Sequence, residues 1–477
     1  MNEVLIGLEI HCQLTSLESK LFCTCLGDYR NSKPNSNICP VCCGFPGTLP
    51  LLNKRAVEHS AMISNSLGCK IPPKLMFYRK NYFYPDLPKN FQITQYNVYG
   101  LTSIGSEGDV KINDMDIRIR RVQLEEDPGR ILYAPDSTHA SNYVLVDYNR
   151  AGVSLVEIVT EPDFTSPREV RLFLNKLSSI LEHIGVCDTS LEGAVRCDAN
   201  VSLNGGNRIE IKNVSSFKEV ERALTYEISR QANLLARNIK IASETRHWDE
   251  QRKITKIART KEEEQDYRYF PEPDIPVILL GNEFSSHVSR LIPELPDQRL
   301  SRFISDYNLS NHVANILINY KKLADFFESS VKIYASPIEI GNWIVNDLTG
   351  LIGGEETISM DSLKIQPNHI AELACLVDED KINRTTAKQF LTKMFQTGET
   401  PSELLSKSDL SRIDDENLIA KTVEQVFKSE ESAVSDARLN PSAINFLVGK
   451  VMQSTKGRAD PKIVTQLVRQ KLESKIS

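Results

Sequence analysis

Residues Val4 to Leu14 read VLIGLEIHCQL, an apolar run that only Glu9, His11 and Gln13 interrupt. As a strand, with side chains alternating between two faces, it puts these three residues on one side and Leu8, Ile10, Cys12 and Leu14 on the other. One side predicts core; the other predicts polar contacts. A carboxylate and an imidazole two residues apart on a strand stand about 6 to 7 Å apart at Cα, near enough for both to reach one ion. The alternative is an edge strand whose polar face is solvated, and this segment alone leaves both open.

Up to about residue 290, further β-branched runs (IRIRRVQL, YVLVDYN, VSLVEIVTEP, RCDANVSL and NRIEIKNV) alternate with Gly, Pro, Asn and Asp clusters. They predict a large mixed or antiparallel sheet with a few helices. One helix begins after Ser216, where Ser216 and Glu219 have capping-box spacing and Val220, Leu224 and Ile228 recur at four-residue steps. From Pro293 the pattern turns helical, with breaks at Gly353-Gly354 and Pro367. Residues 402–436 hold nine acidic and four basic residues, whereas 450–477 hold seven basic and two acidic ones, which marks the tail as a separate basic module. The expected class is α+β: a sheet domain over 1–292, a helical domain over 293–405 and a small helical tail over 406–477.

The net charge of -6 excludes a chain that is one large nucleic-acid surface, so any RNA contact is local. The start, MNEVLIGLEI, has neither the basic and long apolar regions of a signal peptide nor the Arg-rich character of a transit peptide. No run of about 18 apolar residues occurs, so no membrane contact is expected and the predicted location is the cytoplasm. There the 10 cysteines read as metal ligands or thiols rather than disulfides.

Cys23 and Cys25 form a C-x-C pair and Cys39 and Cys42 a C-x2-C pair, with 13 residues between the two pairs. Four thiolates at this spacing suit one tetrahedral zinc, which would close the loop 22–43 as a structural ion with no open coordination position. The alternative is a set of small buried cysteines. Cys43 is adjacent and can compete as a ligand.

Phe77 to Tyr96 packs seven aromatic residues, three Lys or Arg and two prolines into twenty positions. Rings interleaved with cations can stack bases at roughly 1 to 3 kcal/mol each, or serve as anchors of a Pro-rigidified loop. Glu125 and Glu126 end the strand IRIRRVQL, Glu157 interrupts VSLVEIV, and Glu210 sits inside RIEIKNV. A carboxylate in an apolar strand is costly to bury unless it is paired with a base or a cation. Each can be a salt bridge to a neighbouring Arg or Lys; together with Glu9 and His11 they predict a magnesium site. Arg196, Asp198 and Asn200 share one strand face. No P-loop, dinucleotide G-x-G-x-x-G, H-E-x-x-H or G-x-S-x-G motif occurs, so any ATP would be held without a P-loop. Ser215-Ser216-Phe217-Lys218 has the residue types of a Ser-Lys nucleophile but fits a helix start better.

The segments IGLEIHCQL, CPVCCGFPGTLPLLNKRAVE, RKNYFYPDLPKNFQITQY, LEEDPGR, VDYNRAGVSLVEIVTEPD, RCDANVSL, IEIKNVSSFKEVERAL, DYRYFPEPDIP and INFLVGKVMQSTKGRADP follow one another in this order. In them the chain resembles the B subunit of the bacterial-type Asp-tRNA/Glu-tRNA amidotransferases over nearly its whole length. The resemblance implies a heterotrimer with an amidase subunit, which releases ammonia from glutamine, and a small linker subunit. It implies that residues 1–292 form a catalytic cradle in which ATP phosphorylates the side-chain carboxylate of Glu or Asp misacylated on tRNA, and ammonia displaces the phosphate. It also implies roles. Glu9, His11, Glu125, Glu126, Glu157 and Glu210 become catalytic candidates, with Glu9, His11 and Glu125 first as magnesium ligands. Arg79, Lys80, Tyr82, Tyr84, Arg196, Asp198 and Lys212 become candidates for the nucleotide or the tRNA 3′ end, and Lys450, Lys456, Arg458 and Lys462 for the tRNA body. The implied cofactors are ATP, Mg2+ and structural Zn2+.

The chain departs from that pattern at Gln123, where many members have His, at Pro128 and Cys43, and at Asn440-Pro441 in a tail segment usually rich in Gly and Lys. Two competing readings are a non-catalytic, zinc-containing tRNA-binding scaffold, whose carboxylates merely pair with Arg118, Arg120, Arg121 and their neighbours, and a free-standing ammonia ligase, in which nothing would protect ammonia from dilution.

Overall fold

The computed structural model describes residues 3–97, 100–133, 143–212, 214–260, 267–352, 360, 363–407, 416–439, 444–455, 459 and 461–473. The chain divides into two compact units, Met1–Arg299 and Leu300–Ser477. In the first unit the strands are β1 (Val4–Gln13), β2 (Lys74–Leu75), β3 (Tyr78–Asn81), β4 (Phe91–Thr94), β5 (Gly105–Ile112), β6 (Met115–Glu126), β7 (Arg130–Tyr133), β8 (Val144–Asp147), β9 (Ser154–Thr160), β10 (Val195–Leu203), β11 (Ile209–Lys212), β12 (Glu244–Asp249), β13 (Ile254–Thr260), β14 (Phe270–Pro271) and β15 (Ile278–Leu279). Eight of them form one mixed sheet in the order β13-β12-β11-β10-β1-β9-β6-β5. Its pairings are antiparallel except β11 with β12.

β1 lies inside this sheet, with β10 on one side and β9 on the other, so the solvated-edge alternative falls. Ile6, Leu8, Ile10 and Cys12 are fully or almost fully buried in the main core. Helices α1 (Lys54–Ser66), α2 (Pro167–His183) and α3 (Phe217–Ala236) pack against the sheet and bury this apolar face. The opposite face of the central strands carries Glu9, His11 and Gln13 of β1, Glu157 of β9 and Arg196, Asp198 and Asn200 of β10, with Leu5, Leu155 and Val159 among them. Helix α2 starts with a complete capping box of Ser166 and Glu169. In α3 only half of the predicted box forms: Ser216 Oγ accepts the Glu219 N–H at 3.3 Å. Such a cap stabilises a helix by about 1 kcal/mol. The Glu219 carboxylate instead accepts from Trp248 Nε1 at 2.7 Å and from Lys253 Nζ at 2.9 Å.

One irregularity positions the site. Along β6 the core-facing residues are Ile117 and Ile119, then Val122 and Leu124, because the Arg120-Arg121 doublet breaks the alternation. The register against β9 shifts between Ile119 and Arg121, as a β-bulge requires. Beyond the bulge, Gln123 and Glu125 share the polar face, and Glu126 points to the other one.

The aromatic segment forms a hairpin, β3 with β4, extended by β14 into a small sheet. In the second unit, helices from Asn311–Ile318 to Pro401–Lys407 enclose a core around Phe327, Trp343 and Phe390, and Trp343–Leu348 form a π-helical turn. A second, separate core unites Val423, Leu447, Val464 and Val468. Among the described residues, no helix is long and apolar enough to cross a membrane.

Candidate functional site

Period-two geometry and antiparallel register bring the polar residues of three strands together. His11 on β1 stands opposite Glu157 on β9, and Glu157 stands opposite Gln123 on β6. Three carboxylates surround the imidazole: His11 Nε2 lies 3.8 Å from Glu9 Oε1, 3.8 Å from Glu125 Oε1 and 3.7 Å from Glu157 Oε2. One ligand atom each from Glu9, His11 and Glu157 lie within 4.8 Å of one another, a set that can hold a metal ion. This set has Glu157 as its second carboxylate, and Glu125, named with Glu9 and His11 from the sequence, stands beside it with Oε1 3.8 Å from His11 Nε2. Burial, then the charge of Glu157, pushes the Glu125 carboxyl up to about 7, against His11, Lys80 and the hydrogen bond from Thr94 Oγ1 (2.9 Å). The same two causes raise Glu9. Such an excess of buried negative charge is what a divalent cation relieves.

Glu9, Glu125 and Glu157 of this cluster line a cleft of about 1980 Å³. Lys80, Tyr96, Tyr267 and Tyr269 line it from the small sheet and the segment leading into β14. Tyr96 and Tyr269 stack at 4.1 Å with planes 11° apart, and Lys80 Nζ lies 4.8 Å from the Tyr267 ring centre. Gln95 Nε2 and Asn200 Oδ1 are buried without a hydrogen-bond partner among the described residues, and both line the cleft, so a bound polar ligand can satisfy them. On one flank, Asp127 is wholly buried and accepts both of its oxygens' bonds from Arg196 Nη2 (2.9 and 2.8 Å), with Gln13 Nε2 at 2.7 Å. Against the penalty of burial, Arg196 and Arg150 hold the Asp127 carboxyl below the usual carboxylate range. On the other flank, Lys212 Nζ lies 2.7 Å from Asp198 and 3.3 Å from Glu210.

A second group lies elsewhere. Cys23, Cys25, Cys39 and Cys42 place their sulfurs within 4.8 Å of one another, which can hold a metal ion. A hydrogen bond from Cys23 holds the Cys42 thiol down at about 4 against burial, helped by the Cys39 N–H at 3.2 Å and by Lys20, whose Nζ lies 3.7 Å away. A thiolate is the form that binds a metal.

A family model for the GatB/GatE catalytic domain matches residues 4–286, and one for the GatB domain matches residues 325–472. The chain belongs to the GatB/GatE family. It is similar to proteins named as the B subunit of aspartyl/glutamyl-tRNA(Asn/Gln) amidotransferase. The one from Saccharolobus solfataricus is 45% identical over 98% of this chain and 99% of the relative. Those from Thermotoga maritima and Thermodesulfovibrio yellowstonii are 43% and 42% identical, each over 98% of both chains. The resemblance read from the motifs therefore holds.

Not every residue singled out in the sequence reaches the cluster. Glu126, on the far face of β6, accepts from Lys89 Nζ at 2.6 Å and from the Ile93 N–H at 2.8 Å, and it faces the cysteine loop. Arg79 alternates away from Lys80 on β3 and binds Glu272 through Nε and Nη2 at 2.6 and 2.7 Å. Tyr84 is exposed and outside the cleft lining. Tyr82 sits edge-on to Tyr267. Glu210 lines the cleft but is bound by Lys212 and by Thr245 Oγ1 at 2.9 Å. In the tail, Lys450 pairs with Glu430 at 2.9 Å, Lys462 also has an intramolecular partner, and Lys456 and Arg458 lie outside the described residues, as do Gly353-Gly354 and Asn440-Pro441. The scaffold reading has the carboxylates pair with Arg118, Arg120, Arg121 and their neighbours, and Glu126 with Lys89 and Glu210 with Lys212 are pairs of that kind. Arg118 and Arg120 bind Asp163 and Glu161; only Arg121 of the three reaches the cluster, at Glu157. Sequence reasoning missed Gln95, Tyr267, Tyr269 and Asp127, and it named Arg121 only as a partner of the carboxylates. The signals for some of these were present: the Tyr267-Arg268-Tyr269 triplet and the Arg doublet that breaks the strand period.

The raised Glu125 carboxyl has a consequence for stability. Between the ordinary value of 4.5 and about 7 the folded protein holds a proton that the unfolded chain releases, so stability falls as pH rises through that window. Without added divalent cation, Glu125→Gln should therefore raise the urea midpoint at about pH 8 and change it little near pH 4.5. A lower midpoint for the variant at about pH 8 would contradict burial of an ionised carboxylate there.

Proposed function

We propose that the chain is the tRNA-dependent subunit of an amidotransferase, which uses ATP to activate the side-chain carboxylate of Glu misacylated on glutamine tRNA, or Asp on asparagine tRNA, for amidation. The convergence on His11 of Glu9, Glu125 and Glu157, three carboxylates that line the cleft, carries this reading. Joining a triphosphate to a carboxylate brings two anions together, and a divalent cation supplies the charge that makes this possible. Glu9, His11 and Glu157 fit such an ion. The two carboxylates suit magnesium, and the imidazole suits manganese as well, which accepts nitrogen more readily.

In the first half-reaction a carboxylate oxygen attacks the γ-phosphorus and ADP leaves with the bridging electron pair. In the second, ammonia attacks the carbonyl carbon and phosphate leaves. Glu125, titrating at about 7, is suited to take the proton that the nitrogen gives up. Ammonia comes from glutamine through an amidase partner, with a small linker subunit completing the heterotrimer. The Tyr96–Tyr269 stack and Lys80 suit a base and the phosphates of the nucleotide or of the tRNA 3′ end. The tail holds the tRNA body by charge. The complex works in the cytoplasm, where tRNA is used, and zinc at the four cysteines closes the loop 22–43.

The complex with its amidase partner, given glutamine, ATP and Glu-tRNA or Asp-tRNA, should form amide and ADP together, and Glu9→Gln should lower that rate by about a hundredfold or more. ATP hydrolysis indifferent to misacylated tRNA, or amide formed without ATP, would contradict the proposal. For the cysteine loop, metal analysis should find one zinc per chain, lost with the native fold in the double change Cys39→Ser and Cys42→Ser. Intact folding and full zinc content in that variant would refute the closure.

A further inference from the structure

We propose that Arg121 binds the phosphoryl group in transfer, so that the bulge in β6 supplies a second cation beside the proposed ion. This inference rests on the proposed ATP-dependent activation and adds to it the group that neutralises the moving phosphoryl. Six Lys or Arg side chains line the cleft: Lys80, Arg118, Arg120, Arg121, Arg208 and Lys212. Arg118 and Arg120 are each held by a carboxylate at two nitrogens, Asp163 and Glu161. Lys212 lies between Asp198 and Glu210, and Lys80 lies over the rings of Tyr267 and Tyr82. Arg208 precedes the β11 register that runs beside Val201, level with Leu5, six residues and about 20 Å along β1 from His11.

Arg121 differs from all of these. The bulge turns it onto the polar face, where Nη2 donates to Glu157 Oε1 at 3.0 Å and Nε donates to Gln123 Oε1 at 2.9 Å. Gln123 is itself fixed by donating Nε2 to the Gln95 carbonyl at 2.5 Å. Glu157 thus gives one oxygen to Arg121 and turns the other, Oε2, toward His11. Arg121 is about one-third exposed, and its Nη1 has no hydrogen-bond partner among the described residues. A guanidinium fixed on two sides by Gln123 and Glu157, with a planar edge left over, suits a phosphoryl group. It would sit beside the ion, across the shared Glu157 carboxylate. In the step it assists, the bond from the γ-phosphorus to the β-bridging oxygen breaks, the bond to the substrate carboxylate oxygen forms, and the electron pair departs with ADP; no proton moves. Arg121 contributes charge and orientation to the three equatorial oxygens.

The test uses the complete complex with Arg121→Ala and Arg121→Lys, and Arg118→Ala as the control. Melting curves establish folding, and Mn2+ titration of each variant, read by electron spin resonance, reports the ion set independently of turnover. Arg121→Ala should lose about a hundredfold or more in kcat for ATP-dependent amide formation, with KM for ATP and Mn2+ affinity each within about fivefold, and guanidinium in the buffer should restore part of the rate. Arg121→Lys should recover little, because a point charge does not reproduce the planar fork, and Arg118→Ala should stay within about threefold. Retention of kcat within about threefold in Arg121→Ala, or full recovery on raising Mn2+ alone, would overturn the assignment and leave Arg121 as a holder of Glu157. A parent complex with no ATP-dependent amide formation would instead overturn the underlying function.

Discussion

Three carboxylates gathered around one imidazole in the interior of an eight-stranded sheet form the constraint on which the rest of the first unit depends. Glu9, Glu125 and Glu157 cannot all carry charge cheaply at this depth, and burial together with their mutual repulsion raises Glu9 and Glu125. The fold tolerates the arrangement because the opposite face of β1 is wholly apolar, so Ile6, Leu8 and Ile10 anchor the strand that carries the charges. A divalent cation is the partner that fits what remains. The charge excess is thus what the proposed ion would relieve.

The surroundings confine that excess to one place. Asp127 on one flank is matched by Arg196 and Gln13, and Asp198 with Glu210 on the other by Lys212. Asp127 is buried while Arg196 is partly exposed, so what fixes this flank is the set of hydrogen bonds that Arg196 and Gln13 give to the buried carboxylate. Between them the His11 cluster keeps more negative than positive charge. Glu126, one residue from Glu125, is neutralised by Lys89 and serves the packing of the cysteine loop. Adjacent carboxylates thereby take different duties because a strand shows its neighbours to opposite faces.

Much of this was legible in the sequence, and what was not has a physical reason. The two faces of β1 followed from the alternation of VLIGLEIHCQL, a local pattern. Its interior place in the sheet did not, because β9 and β10 pair with it from about 150 residues or more downstream. The four cysteines were readable because both pairs lie in one short loop. Arg79 read as a free cation among aromatics, but its partner Glu272 is 193 residues away in sequence. Glu125 and Glu126 were inseparable by residue type, and only the bulge at Arg120-Arg121 fixes which of them faces His11. That doublet was visible all along as a break in an otherwise regular strand.

The central claim is that Glu9, His11 and Glu157 hold the divalent cation. Anomalous diffraction at the manganese edge, from crystals grown with Mn2+, tests it most directly. A peak in the cleft bounded by the carboxylates of Glu9 and Glu157 and by His11 Nε2 is the predicted result. A peak seated instead on Asp198 and Glu210, or a cleft without manganese, would contradict it.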